Sequence, residues 1–202
     1  MEKAMKHKTK RTIVIILIVA IALLIALAID LIWSAIEKGT HPYDYHDYIE
    51  KYSYEYNIPQ SVIYAVIKVE SNFDPDAESS VGARGLMQMM PKTFEWLTGD
   101  EHLGEHLNKK MLFDPETSIK YGTYYLSYLY EKFDRNTSTV LAAYNGGEGN
   151  VAKWLKDPAY SDDGENLKDI PFKETKNYVS KVNGEIQAYK EIYYDQNEVE
   201  KP

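Results

Sequence analysis

The chain opens with one continuous apolar run, and after it apolar residues recur every three or four positions. Ile13 to Ile29 is seventeen residues without a polar side chain, and Leu31, Ile32 and Trp33 resume the run after Asp30. Roughly 20 apolar residues span a bilayer core as a helix. The run shows no polar face, so a buried core helix fits it poorly. Residues 13–33 therefore read as a single-pass membrane anchor. A cleaved signal peptide is the rival reading, because Ala26-Leu27-Ala28 has the small-x-small form of a cleavage site. Continuation of the run through Trp33 favours the anchor.

Residues 34–43 read as a linker. The spacing then predicts helix almost throughout. Tyr45, Tyr48, Ile49, Tyr52 and Tyr56 form one aromatic-apolar stripe. A second helix is predicted over 59–70, with Pro59 in its first turn and Val62, Ile63, Val66 and Ile67 inward. Residues 74–82 read as a turn-rich loop and 83–90 as a short helical stretch, with another turn or two from Pro91 through Leu97. Residues 98–110 read as a polar surface excursion. Asp114-Pro115 is a strong helix start. Ile119, Gly122, Leu126, Leu129 and Phe133 then give the clearest helical period in the chain. Further helices are predicted over 137–144, 149–155 and from about 173, with an acidic loop over 157–171. Period-two alternation is not evident. The expected fold is an all-α domain of several short helices over 44–194, followed by a frayed tail, 195–202.

Charge changes the picture at one end. Residues 1–12 carry five cations against Glu2, net +4, and the remaining 190 residues carry net −12. Basic residues before an apolar span stay cytoplasmic, so the domain is expected outside the cytoplasm. An acidic body argues against nucleic-acid binding. With no cysteine, disulfides, thiolate metal sites, a cysteine nucleophile and a lipoprotein anchor are excluded. His102 and His106 are four apart, but two ligands make a weak metal site. The acids of 157–171 lack the spacing of an EF-hand loop. No metal or other cofactor is expected.

Glu70 carries the candidate chemistry. It follows Val66 and Ile67 by four and three positions, so it shares a face with core side chains. It also lies at the negative end of its helix. Desolvation and dipole both raise a carboxyl pKa, which suits a general acid near neutral pH. An edge glutamate that reaches water is the plain alternative.

Four motifs extend this reading. They are Glu70-Ser71, Gly82-Ala83-Arg84-Gly85-Leu86-Met87-Gln88-Met89-Met90-Pro91, Ala142-Ala143-Tyr144-Asn145-Gly146-Gly147 and Glu174-Thr175-Lys176-Asn177-Tyr178-Val179. In this order and spacing they resemble the catalytic domain of soluble-type lytic transglycosylases, relatives of goose-type lysozyme. The resemblance covers about residues 45–190. It implies a lysozyme-like fold and cleavage of the β-1,4 bond between N-acetylmuramic acid and N-acetylglucosamine in peptidoglycan strands. Glu70 matches the single catalytic acid, which then acts as base on the muramic C6 hydroxyl to close a 1,6-anhydro ring. Usual glycosidases need a second carboxylate; Asp74, Asp76 and Glu78 are nearby in sequence, and one of them at the site would make the protein a hydrolase. Ser79, Gln88, Met90, Tyr144, Asn145, Glu174 and Tyr178 match substrate-cleft positions. On residue type alone, Ser79 is an ordinary loop serine, Asn145 a helix C-cap, Glu174 a solvated acid and Tyr178 a packing residue. Eighteen tyrosines fit a glycan groove and core stripes equally well. A hydrolytic muramidase, or a non-catalytic glycan-binding scaffold of an envelope machine, are the other readings. Glu70 weighs against the scaffold.

Overall fold

The computed structural model describes residues 2–194; the tail expected over 195–202 lies outside the described residues. The chain divides after Pro42 into two units. The first is one helix, α1 (Glu2–Thr40). Its stretch Ile15–Thr40 is long and apolar enough to cross a membrane. Side chains such as Ile16, Leu24 and Ile32 are exposed. The linker expected from residue 34 is helical as far as Thr40. Trp33 Nε1 donates to Glu37 Oε1 at 2.6 Å and Thr40 Oγ1 to Glu37 O at 2.9 Å, which carries the helix past the apolar run. Pro42, with no N–H, stands just beyond its end.

The second unit is all-α, as expected. Its helices are α2 (His46–Tyr56), α3 (Gln60–Ser71), α4 (Pro91–Leu97), α5 (Pro115–Lys132), α6 (Thr137–Gly146), α7 (Glu148–Trp154) and α8 (Lys173–Tyr193), with a 3-10 turn at Lys109–Phe113. No strand occurs among the described residues, only isolated bridges Glu78–Arg84 and Arg84–Met89.

α3 is the central helix. Seven consecutive residues, Ser61 to Ile67, are buried. A helix apolar on only one face could not do this; Val62, Ile63, Tyr64, Ala65, Val66 and Ile67 supply apolar surface all round. α8 packs against α3 and α6, and α2 against α5. The period seen in α5 does as the sequence predicts: Ile119, Leu126, Leu129 and Phe133 are all buried. Asp114 caps this helix, accepting from Thr117 N at 2.9 Å. Burying each such side chain contributes roughly 1.5–3 kcal/mol. A smaller cluster of Met89, Phe94, Leu97, Leu112 and Tyr121 lies under α4. Leu103 and Leu107 pack on it, so the excursion 98–110 is only partly a surface feature.

The helical stretch expected over 83–90 is not a helix. It is a turned loop closed by a reciprocal pair, Arg84 N to Met89 O and Met89 N to Arg84 O, each 3.1 Å. Positive φ at Gly82, Gly85 and Gln88 interrupts any helical path. A Cβ on Gly85 would lie 1.8 Å from Leu112 O, so the loop's depth depends on that glycine.

Candidate active site

Glu70 stands in the last turn of α3, where the helix leaves the core. Asn72 and Phe73 follow in the left-handed region, at φ 51° and 65°, and turn the chain away sharply. A bulky residue in that region is strained; the burial of Phe73, close to Tyr64, holds it. The end of α3 is thereby fixed on the side that carries Glu70.

The loop 82–90 is gripped by three helices at two successive residues. Ser71 Oγ of α3 donates to Leu86 O at 2.8 Å. Ser118 Oγ of α5 accepts from Met87 N at 3.2 Å. Tyr144 Oη of α6 donates to Met87 O at 2.8 Å. Gly122 makes room in α5 for the Met87 side chain, since a Cβ there would meet its Sδ at 2.2 Å. Rigid helices therefore set the loop's position relative to Glu70.

Burial pushes the Glu70 carboxyl up to about 7, against a partial opposing pull from the Tyr178 hydroxyl. Among the described residues no cation contributes to that balance. A carboxyl so placed holds its proton near neutral pH and can also give it up. Tyr178 is 7 % exposed, and its Oη is buried without a fully formed hydrogen bond. Both Tyr144 and Tyr178 are raised well above the ordinary tyrosine value, first by burial and then by the Glu70 charge. The structure thus brings Glu70, Tyr144 and Tyr178 together from three helices.

The other residues singled out in the sequence sit as follows. Gln88, at φ 46°, donates through Nε2 to Ala77 O and Gly85 O, both 2.9 Å, so its amide braces the loop. Met90, two positions on, is 41 % exposed. Ser79 Oγ accepts from Ala83 N at 2.9 Å. Asn145 is exposed beside Tyr144. It is not the helix cap: α6 runs on to Gly146 and Gly147 caps it at φ 87°. Glu174 is exposed in the first turn of α8, one turn before Tyr178.

Asp74, Asp76 and Glu78 are exposed. Asp74 Oδ1 accepts from Asp76 N at 2.9 Å and Glu78 pairs with Arg84 at 2.9 Å. His102 Nδ1 meets Tyr124 Oη at 3.1 Å and His106 pairs with Asp100 at 2.8 Å, so these histidines face different partners. In the acidic loop, Asp162 pairs with Lys168, Asp169 with Lys176 at 2.6 Å, and Asp163 accepts from Glu165 N and Asn166 N. Local hydrogen bonds hold the Asp163 carboxyl well below the usual carboxylate range.

Residue types alone did not reveal the ring contacts beside the site. Tyr125 lies 5.5 Å from Tyr144, ring centre to ring centre, and 6.2 Å from Tyr128. The abundance of tyrosine was the available signal, but core stripes produce the same abundance.

The family described as the Transglycosylase SLT domain matches residues 47–167. The soluble lytic murein transglycosylase of Escherichia coli K12 is 38 % identical over 152 residues, covering 75 % of this chain and 23 % of that protein. The crystal structure of the 70 kDa soluble lytic transglycosylase from Escherichia coli superposes with a TM-score of 0.70 at 34 % identity, covering 79 % of this chain and 26 % of that one. An inactive Glu-to-Gln variant of the Pseudomonas aeruginosa lytic transglycosylase Slt gives 0.66 at 31 % identity, covering 77 % and 25 %. The chain spans about a quarter of the length of these relatives. With its helical fold and more than half its length matched, the chain belongs to the SLT-domain family of transglycosylases.

Proposed function

We propose that this chain is a membrane-anchored peptidoglycan lytic transglycosylase, and that Glu70 is its single catalytic acid and base. The observation that carries the reading is the Glu70 carboxyl, lifted to about 7 by burial with no cation to oppose it. In this mechanism the protonated carboxyl gives its proton to the glycosidic oxygen between N-acetylmuramic acid and N-acetylglucosamine. The C1–O4 bond breaks, and the N-acetylglucosamine leaves with a restored 4-hydroxyl. The Glu70 carboxylate then takes the proton of the muramic C6 hydroxyl, whose oxygen bonds to C1. A 1,6-anhydro ring closes, water is not consumed and Glu70 regains its proton. Tyr178 steadies the carboxylate between the two transfers. Ser79, Gln88, Met90, Tyr144, Asn145 and Glu174 are proposed to line the sugar sites. The surface engagement of Asp74, Asp76 and Glu78 supports the transglycosylase over a hydrolase.

α1 is proposed to cross the membrane once, with residues 1–12 cytoplasmic and the helical domain facing the wall. The chain has no cysteine, so topology can be read by single-cysteine labelling. Lys153→Cys in intact cells should react with an impermeant maleimide and Lys8→Cys should not. Labelling of both, or of Lys8→Cys alone, would refute the orientation. Activity is tested by the mass spectrum of fragments that the detergent-solubilised full chain releases from peptidoglycan. Fragments ending in 1,6-anhydro-muramic acid are expected. Reducing ends would assign a hydrolase, and strands bound but uncut would assign the scaffold.

A further inference from the structure

An enzyme that cuts a polysaccharide must hold sugars beyond the bond it breaks. Resting on the transglycosylase reading, we propose that Trp96 and Tyr128 form a distal saccharide subsite, joined to Glu70 through Tyr125 and Tyr144. Tyr144 is within reach of the Glu70 charge. From it, ring contacts run outward: Tyr125 at 5.5 Å, Tyr128 a further 6.2 Å and near parallel at 12°, then Trp96 at 5.2 Å. Each step is comparable with the length of one pyranose unit. Tyr125 and Tyr128 are three apart on α5 and so share a face; Trp96 comes from the last turn of α4.

Trp96 is the informative residue. Its neighbours Phe94 and Leu97 are buried, yet Trp96 is 38 % exposed. It is not a loose side chain. His102 stands edge-on to it at 4.1 Å and Tyr128 at 5.2 Å, and His102 is fixed by Tyr124 Oη at 3.1 Å. Tyr128 is in turn held by Lys132, which meets its hydroxyl at 3.1 Å and pairs with Glu148 at 2.7 Å. An indole braced on two sides and open on another is a rigid apolar surface that loses little entropy when a ligand covers it. The apolar C–H face of a pyranose fits such a ring, while its hydroxyls remain at the polar rim. Continuity of the row with the candidate acid favours the glycan over a protein partner.

The test compares cleavage of a peptidoglycan tetrasaccharide and of strands several times longer by the detergent-solubilised full chain, by Trp96→Ala and by Trp96→Phe. For Trp96→Ala, KM for long strands should rise about tenfold, the weight of one aromatic contact, with kcat and tetrasaccharide cleavage held. Trp96→Phe should recover most of the loss. Equal losses at both lengths would make Trp96 a packing residue and overturn the subsite. No loss at either length would overturn it too, while leaving the transglycosylase reading intact. A wild-type chain that cuts neither substrate would remove both.

Discussion

Glu70 and Glu116 each interact with a tyrosine hydroxyl, and their acidities are displaced in opposite directions. Glu116 accepts from Tyr52 Oη at 2.9 Å and from Lys51 Nζ at 2.8 Å, and its carboxyl is lowered chiefly by that lysine. It lies in the first turn of α5, at the positive end of the helix. Glu70 lies in the last turn of α3, at the negative end, and is raised to about 7 by burial despite Tyr178. The hydroxyl therefore does not decide acidity. Desolvation, helix end and the presence or absence of a cation do, and they separate a proton donor from an ordinary surface anion within one domain.

The largest effect is expected on turnover. Glu70→Gln keeps the shape but removes the transferable proton, so glycan cleavage should fall by about a hundredfold to ten-thousandfold, the usual contribution of a general acid. A chain that retains full turnover with glutamine there would end the single-acid mechanism. Wild-type turnover should also decline as pH rises through about 7, where the free carboxyl loses its proton. A profile flat from pH 5 to 8 would show that Glu70 is not the acid.

The same substitution should have the reverse effect on stability. A carboxyl raised in the folded state favours folding fully below its unfolded value of 4.5, and this contribution is lost as pH rises through about 7. The loss amounts to at most about 3 kcal/mol. Denaturant unfolding of the domain should show Glu70→Gln more stable than wild type at pH 8, with the gap closing near pH 5. Lower stability at both pH values would mean that the glutamate is a structural anchor. Stability and activity oppose each other at this residue, as they commonly do at active sites.

Regular packing made most of the helices legible. Asp114-Pro115 and the period from Ile119 to Phe133 set α5 because cap, first-turn proline and core spacing agree. The loop 82–90 failed the same reasoning. Leu86, Met87 and Met89 are helix-compatible residues, but Leu86 and Met87 are held by hydrogen bonds from α3, α5 and α6, Met89 packs into the cluster under α4, and Gly85 admits the Leu112 carbonyl. Those hydrogen-bonding partners lie far away in sequence. At the site, the spacing to Val66 and Ile67 put Glu70 on the core face but left an edge glutamate open, and it was the four motifs together that singled it out. The Tyr144–Met87 bond and the Tyr125–Tyr128–Trp96 row could not be singled out, since they join segments far apart in the sequence.

A smaller displacement should follow from Tyr178→Phe. The Tyr178 hydroxyl lowers the Glu70 carboxyl. Removing it should move the alkaline limb of the pH profile to higher pH, by a fraction of a unit to about one unit. The hydroxyl is buried without a full partner, so its loss should cost little stability. An unmoved limb, with turnover reduced equally at all pH values, would assign Tyr178 to packing and not to positioning of the proton.

Glu116→Gln supplies the smallest effect and the sharpest contrast. Its pair with Lys51 is largely exposed, with 54 % and 41 % of the two side chains open to solvent. Exposed pairs contribute no more than about 1 kcal/mol. Because this carboxyl is lowered in the folded state, its contribution is present above the unfolded value and lost as pH falls through the folded one. The variant should therefore be slightly less stable than wild type at pH 7 and indistinguishable in strong acid, with added salt narrowing the difference. Glycan cleavage should not change. Were Glu116→Gln instead to gain stability at pH 8, as expected for Glu70→Gln, burial and not the cation would govern both carboxylates, and the distinction between donor and surface anion would fail.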